Sequence, residues 1–265
     1  MSASKPTIGV AQIACQVGQV SHNLETISAS IREAARNGCD LVVLPEMVDT
    51  GYDMDAIKTH ASPIDGTPAQ TIAAVAQEAG VHVICGISER QESHVYNAAF
   101  IANDQGQMMG RYHKTHLFSL VNEEDHLESG DVLAVVEMFG LKFGVIICYD
   151  IRFPELARTL ALDGMDCLVV IAAWPSARIA HLKALAVARA VENQVYAVIA
   201  NRVGTDTSLE FGGSSRILAP DGTLLAEASP DAPELITTTL EPDTLHAVRA
   251  SMAIFDDRRP DLYDI

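Results

Sequence analysis

The chain has 265 residues, 48% of them hydrophobic, and a formal net charge of -17. That length suits one large domain or two small ones with a sizeable core. The acidic balance argues against a nucleic-acid partner, which needs a basic footprint, and against adhesion to an anionic membrane surface.

Hydrophobic periodicity alternates strands with helices along the chain. Thr7 to Ala14 reads as a strand. Leu24, Ile27, Ile31, Ala34 and Ala35 recur at helical spacing, and Gly38 ends that helix. Leu41 to Leu44 is a short apolar strand, and Ala69 to Ala79 is an Ala-rich helix closed by Gly80. Val81 to Ser88, Asn97 to Ala102 and Gln107 to Tyr112 read as consecutive strands, the last two joined by Asn103-Asp104-Gln105-Gly106. Val132 to Val136 and Leu141 to Ile147 follow, with a tight reversal at Phe139-Gly140. Glu155 to Asp163 is a helix with Pro154 near its first turn and Gly164 at its end. Cys167 to Ala172 is a strand. Ile179 to Asn193 is a long helix with Leu182, Leu185, Ala186 and Ala190 on one face. Val195 to Ala200, Gly213 to Leu218, Leu224 to Ala228 and Ile236 to Leu240 complete the strands, with Pro220-Asp221-Gly222 as a hairpin turn. No linker or repeat interrupts the pattern, so residues 1–265 read as a single α/β layered domain.

No apolar stretch is long enough to span a bilayer, and Met1-Ser2-Ala3-Ser4-Lys5-Pro6 lacks a signal-peptide core, which makes the cytoplasm the expected location. The five cysteines match no zinc spacing. Cys15, Cys39, Cys85 and Cys167 read as free structural thiols, in keeping with a reducing compartment.

Three segments carry chemistry. Cys148 ends the apolar run Leu141-Lys142-Phe143-Gly144-Val145-Ile146-Ile147 and opens Cys148-Tyr149-Asp150-Ile151-Arg152-Phe153-Pro154-Glu155. A cysteine between a buried strand and a helix N-terminus is well placed to be a thiolate, because N–H groups and the helix dipole favour negative charge there. A packed core cysteine is the alternative. Leu41-Val42-Val43-Leu44-Pro45-Glu46 delivers a carboxylate at a strand end. Glu46 is either a solvated loop residue or a partly buried base. Gly110-Arg111-Tyr112-His113-Lys114-Thr115-His116-Leu117-Phe118 sets Lys114 between two histidines. It is either a solvent lysine or a fixed cation for an oxyanion or thiolate.

Taken in order, Pro45-Glu46-Met47, Tyr112 to Phe118 and Cys148 to Glu155 resemble the three catalytic signatures of the nitrilase superfamily of carbon–nitrogen hydrolases. The likeness runs from Ile8-Gly9-Val10-Ala11-Gln12 to Asp257-Arg258-Arg259-Pro260-Asp261-Leu262-Tyr263. It implies a four-layer α-β-β-α sandwich in which Glu46 is the general base, Lys114 the oxyanion-stabilising cation and Cys148 the nucleophile. It also implies a homodimer or higher homo-oligomer, with the Glu155 and Ile179 helices as interface candidates. A fourth residue, a second Glu in the loop after the lysine, matches Glu123 best by spacing from Gly130; Glu124 is the neighbouring alternative, and Ser129 stands where the family usually has Pro.

The implied reaction is hydrolysis of a small-molecule amide through a thioester, with no cofactor and no metal. The Tyr149 N–H would assist Lys114 in holding the oxyanion. The stretch after Cys148 lacks the Glu-Asn of nitrilases and resembles small-molecule amidases, including ω-amidases. A nitrilase or an N-carbamoyl amino acid amidohydrolase would use the same residues, and a non-catalytic scaffold member is the reading from another class. Trp174, the only tryptophan, ends the Cys167 strand where pockets of α/β folds gather, with a core role as the alternative. Leu182 occupies the position after His181 where amidases usually carry Trp. Tyr52 follows the Glu46 loop and is a candidate pocket residue. Arg152, Arg178 and Arg202 each follow a strand end and are candidates for binding a substrate carboxylate; a structural salt bridge is the alternative for each.

Overall fold

The computed structural model describes residues 5–207 and 209–263. Its strands are β1 (Thr7–Gln12), β2 (Leu41–Val43), β3 (His82–Gln91), β4 (His94–Ala102), β5 (Met108–His113), β6 (Ala134–Met138), β7 (Leu141–Ile147), β8 (Cys167–Ala172), β9 (Tyr196–Asn201), β10 (Val203–Asp206), β11 (Leu209–Gly212), β12 (Arg216–Leu218), β13 (Leu224–Glu227) and β14 (Glu234–Thr239). Its helices are α1 (Val20–Arg36), α2 (Met54–His60), α3 (Thr67–Ala79), α4 (Pro154–Leu162), α5 (Ile179–Asn193) and α6 (Pro242–Ser251).

Two six-stranded sheets run in the orders β14-β1-β2-β3-β4-β5 and β13-β12-β9-β8-β7-β6, and β10 with β11 makes a separate ribbon. Each large sheet has three parallel strands at its centre, β1-β2-β3 and β7-β8-β9, flanked by antiparallel neighbours.

Strand alternation explains the layers. Ile8, Val10, Leu41, Val43, Ile84 and Ile101 point inward and share one core with Val145, Ile147 and Val169 of the second sheet. Their neighbours Ala11, Val42, Val83 and Cys85 point outward and pack with Leu24, Ile27 and Ile31 of α1 and Ile72 and Val75 of α3. Leu156 and Leu160 of α4 and Leu182, Ala186 and Ala190 of α5 cover the second sheet. The result is helix, sheet, sheet, helix. Each of the fully buried Ile27, Ile31 and Ile72 contributes about 1.5–3 kcal/mol of apolar burial.

The periodicity-based elements recur with shifts at their ends. The segment expected as a strand from Gly213 to Leu218 is a strand only from Arg216, because Gly213 and Ser214 take left-handed φ values of 46° and 55°. β3 and β4 run longer than expected and meet in a turn at Glu92, φ 53°. α2, β10, β11 and α6 are elements that periodicity did not signal. All five cysteines are free and buried. No helix among the described residues is long and apolar enough to cross a membrane.

Candidate active site

The carboxyl ends of β2, β7 and β8 lie at the same end of the paired sheets, where ligand sites of parallel sheets form. The Glu46 loop lies directly on β3. Leu44 N–H donates to Ile84 O, and Val48 N–H to Gly86 O. A Cβ on Gly86 would come within 2.4 Å of Pro45 O and 2.5 Å of Glu46 Cα, so only glycine permits this approach. Lys114 follows β5; its N–H donates to Asn97 O at 2.9 Å, and its carbonyl accepts from Gly130 N–H at 2.8 Å. Cys148 opens a 3₁₀ turn, Cys148–Arg152, with φ 48°. A non-glycine residue held there is strained, and such strain gathers where a side chain must be aimed.

Asp150 over-determines that turn. Its Oδ2 accepts from Ile147 N–H at 3.0 Å and Tyr112 Oη at 2.8 Å. Its Oδ1 accepts from His116 N–H at 2.9 Å and lies 2.8 Å from His116 Nδ1. The cysteine turn is thereby pinned to the segment that carries Lys114.

Glu46, Lys114 and Glu123 are all fully buried. Lys114 Nζ donates to Glu46 Oε1 at 3.0 Å and to Glu123 Oε1 at 2.9 Å. Asn97 Nδ2 also donates to Glu46 Oε1, at 2.6 Å, while Ala173 N–H donates to Oε2 at 2.7 Å. Glu123 further accepts from Tyr52 Oη at 2.5 Å and Phe118 N–H at 2.6 Å. Its neighbour Glu124 is exposed.

Burial alone would push the Lys114 ammonium down, but the carboxylates of Glu123 and Glu46 outweigh it and hold Lys114 protonated well above its ordinary value. Burial, then the Glu46 carboxylate, push the Cys148 thiol well up, against the pull of Lys114. The setting also differs from the helix N-terminus expected to favour a thiolate. The first α-helix after the cysteine starts only at Pro154, and the group facing Cys148 is a carboxylate. The arrangement suits proton transfer from thiol to carboxylate during attack. Glu46, expected to be partly buried, is wholly enclosed.

Cys148 lines a small, largely apolar cavity together with Tyr52, Phe118, Tyr149, Arg152, Ala173, Trp174, Arg178 and Leu209. Trp174 is buried, its Nε1 donates to Arg178 O at 2.8 Å, and it is among the residues that line the cavity. The Arg152 guanidinium stands 4.6 Å over Trp174 and 5.7 Å from the Tyr149 ring. Arg202, the third candidate for a substrate carboxylate, is elsewhere and takes the alternative role of a structural salt bridge. It is fully buried, paired with both oxygens of Asp206 at 2.5 and 2.9 Å, and stacked 4.3 Å from Phe211. Its role is structural, since Asp206 also accepts the Tyr52 N–H at 2.7 Å.

Sequence reasoning missed Asn97 and Ala173, which look like ordinary strand residues, and Asp150, quoted only as part of a motif. Only the pairing of β4 beside β3 and β5 reveals Asn97. Among the described residues no group of three or more His, Cys, Asp and Glu side chains is arranged to hold a metal ion.

The family model of the carbon–nitrogen hydrolases matches residues 7–250. A 2-oxoglutaramate amidase from Bacillus subtilis is 36% identical over 98% of this chain and 100% of its own length. Among solved structures, a CN-hydrolase superfamily protein from Xanthomonas campestris with an arsenic adduct in its active site superposes with a TM-score of 0.91 at 28% identity, covering 97% of this chain and 98% of the other. An amidase from Nesterenkonia sp. gives 0.84 at 26% identity, covering 95% of this chain and 96% of the other.

Proposed function

The chain belongs to the carbon–nitrogen hydrolase family, and from that premise we propose that it is a cysteine-dependent amidase that converts small carboxamides to carboxylate and ammonia. The observation that carries this reading is the buried constellation itself. A thiol at the edge of a cavity faces a carboxylate, and that carboxylate shares a fixed ammonium with a second one.

In this reading Cys148 Sγ bonds to the carbonyl carbon while its proton passes to Glu46. Lys114 and the Tyr149 N–H receive the developing oxyanion. As the tetrahedral species collapses, the C–N bond breaks and Glu46 gives its proton to the leaving nitrogen, so ammonia departs and a thioester remains. Glu46 then takes a proton from water as the water oxygen attacks the thioester. The C–S bond breaks and the proton returns to sulfur. Glu123 keeps Lys114 in place throughout, and Tyr52 holds Glu123.

The substrate class we favour is the ω-amide of a short dicarboxylic acid. Arg152 supports this: its side chain makes no hydrogen bond or ion pair with any described residue, and its flat guanidinium, braced by Trp174 and Tyr149, leaves its donors for a carboxylate. The B. subtilis relative's name points the same way.

For assembly, we favour a homodimer through α4 and α5, which carry exposed Leu162, Val187 and Val191. Five free thiols support a reducing, cytoplasmic setting.

The decisive experiment is an ammonia-release screen over ω-amides, neutral aliphatic amides, matched nitriles and N-carbamoyl amino acids, with Cys148→Ala alongside. Amides are expected to lead, and Cys148→Ala to lose at least about a thousandfold in kcat while still folding. Faster turnover of a nitrile than of its amide, or near-normal turnover by folded Cys148→Ala, would overturn the assignment.

A further inference from the structure

Asn97 ties Glu46 and Lys114 to one strand. Its carbonyl accepts from Lys114 N–H at 2.9 Å, and its Nδ2 donates to Glu46 Oε1 at 2.6 Å. It lies fully buried in β4, between β3 under the Glu46 loop and β5 leading to Lys114. The orientation of its amide is informative. Reversing it would set two oxygens against each other at the carboxylate. As it stands, Oδ1 has no hydrogen-bond partner among the described residues.

Among the described residues, Glu46 accepts from Lys114, Asn97 and the Ala173 N–H. Lys114 is the one that the substrate oxyanion would draw away. Asn97 and Ala173 must then hold the carboxylate alone.

We propose that Asn97 is a positioning residue for Glu46, its amide keeping the carboxylate aligned on Cys148 while Lys114 engages the substrate oxygen. The proposal rests on the reading of Glu46 as the base. The titratable groups facing Glu46 are Lys114 from the segment after β5 and Cys148 from the turn after β7, with Glu123 and Tyr52 beyond Lys114. Ala173, after β8, presents only its N–H.

Two readouts on the full chain test this: the pH profile of kcat/KM for ammonia release, and the pH dependence of Cys148 alkylation by iodoacetamide. Asn97→Asp sets a second carboxyl group against Glu46. Two carboxylates so close cannot both ionise freely, so the acid limb of both profiles should move up by at least about one pH unit. Asn97→Ala removes the donor without adding charge. It should lower kcat at least about tenfold, leave KM within about threefold, and move both limbs upward by less. Circular dichroism and thermal melting report folding. Acid limbs of a folded Asn97→Asp protein within about 0.3 pH units of wild type would overturn the proposal. If Asn97→Asp does not fold, Asn97→Ala decides, and a kcat within about twofold of wild type overturns it. Should no amide in the panel be turned over, the alkylation profile still tests Asn97, so failure of the amidase reading and failure of this proposal remain distinct.

Discussion

The phenol of Tyr52 donates to Glu123 at 2.5 Å, and so an aromatic residue from the loop after β2 steadies a carboxylate supplied by the loop after β5. Burial pushes the Tyr52 hydroxyl well above its ordinary value, with the Glu123 and Glu46 charges adding to it, so it remains a neutral donor across the working pH range. Tyr52→Phe removes only that donor. A hydrogen bond to a charged group is worth about 1.5–3 kcal/mol, and kcat is expected to fall about tenfold or more. Steady-state kinetics on the best amide check this; unchanged kcat would mean that Glu123 needs no help from Tyr52.

Glu46→Gln and Lys114→Ala should each be nearly inactive, and the double mutant should be little worse than either single mutant. The two groups share a hydrogen bond and serve the same cysteine, so their losses should not multiply. Lys114→Ala also strands the carboxylates of Glu46 and Glu123 in a buried site, and is expected to lower stability by about 3–5 kcal/mol. Denaturant melts run beside the kinetics separate the two effects. A double-mutant loss equal to the product of the single losses would show independent action.

Arg152→Ala should lower kcat/KM for an ω-amide carboxylate by at least about tenfold and leave the matched neutral amide within about threefold. Arg152→Lys should recover only part, because an ammonium cannot reproduce the planar fork or the stacking on Trp174. Arg202→Ala is the contrasting case. Arg202 is sealed against Asp206, so its loss should show as reduced stability and equal damage to both amides. Equal losses on both amides for Arg152→Ala would remove the carboxylate pocket and leave the amidase standing.

Asp49 introduces a pH dependence of stability. Complete burial pushes its carboxyl up to about 6, although Ser88 N–H donates to both oxygens at 3.1 and 3.0 Å. Unfolded, it titrates near 4. Between these values the folded state holds a proton that the unfolded state has lost, so stability is fully present below about pH 4 and declines as pH rises toward about 6, by about 3 kcal/mol at most. Asp49→Asn should flatten that window in urea melts taken from pH 4 to 7, relative to wild type. Parallel pH curves for the two proteins would contradict the assignment.

What could be read from residue order alone was what local chemistry controls. β7, β8 and α5 begin and end where the apolar runs and their flanking breakers place them, because a buried strand or a one-faced helix needs a continuous apolar pattern. Glu46 and Cys148 were legible because each follows such a run inside a distinctive motif, and Lys114 by its motif, since the strand before it, Met108–His113, is polar and largely exposed. Spacing from Gly130 favoured Glu123 over Glu124, and tertiary structure gives the physical reason: adjacent residues of a short 3₁₀ turn point in different directions, one onto Lys114 and one into solvent.

The same holds for the arginines. Each follows a strand, but Arg202 meets the β10–β11 ribbon and is neutralised by Asp206, whereas among the described residues the Arg152 guanidinium meets the faces of Trp174 and Tyr149. Asn97 carried no local signal, since its role depends on β4 lying between β3 and β5. Strand pairing brings residues distant in sequence into contact, and a period-two pattern records which face a residue takes but not which strand lies beside it.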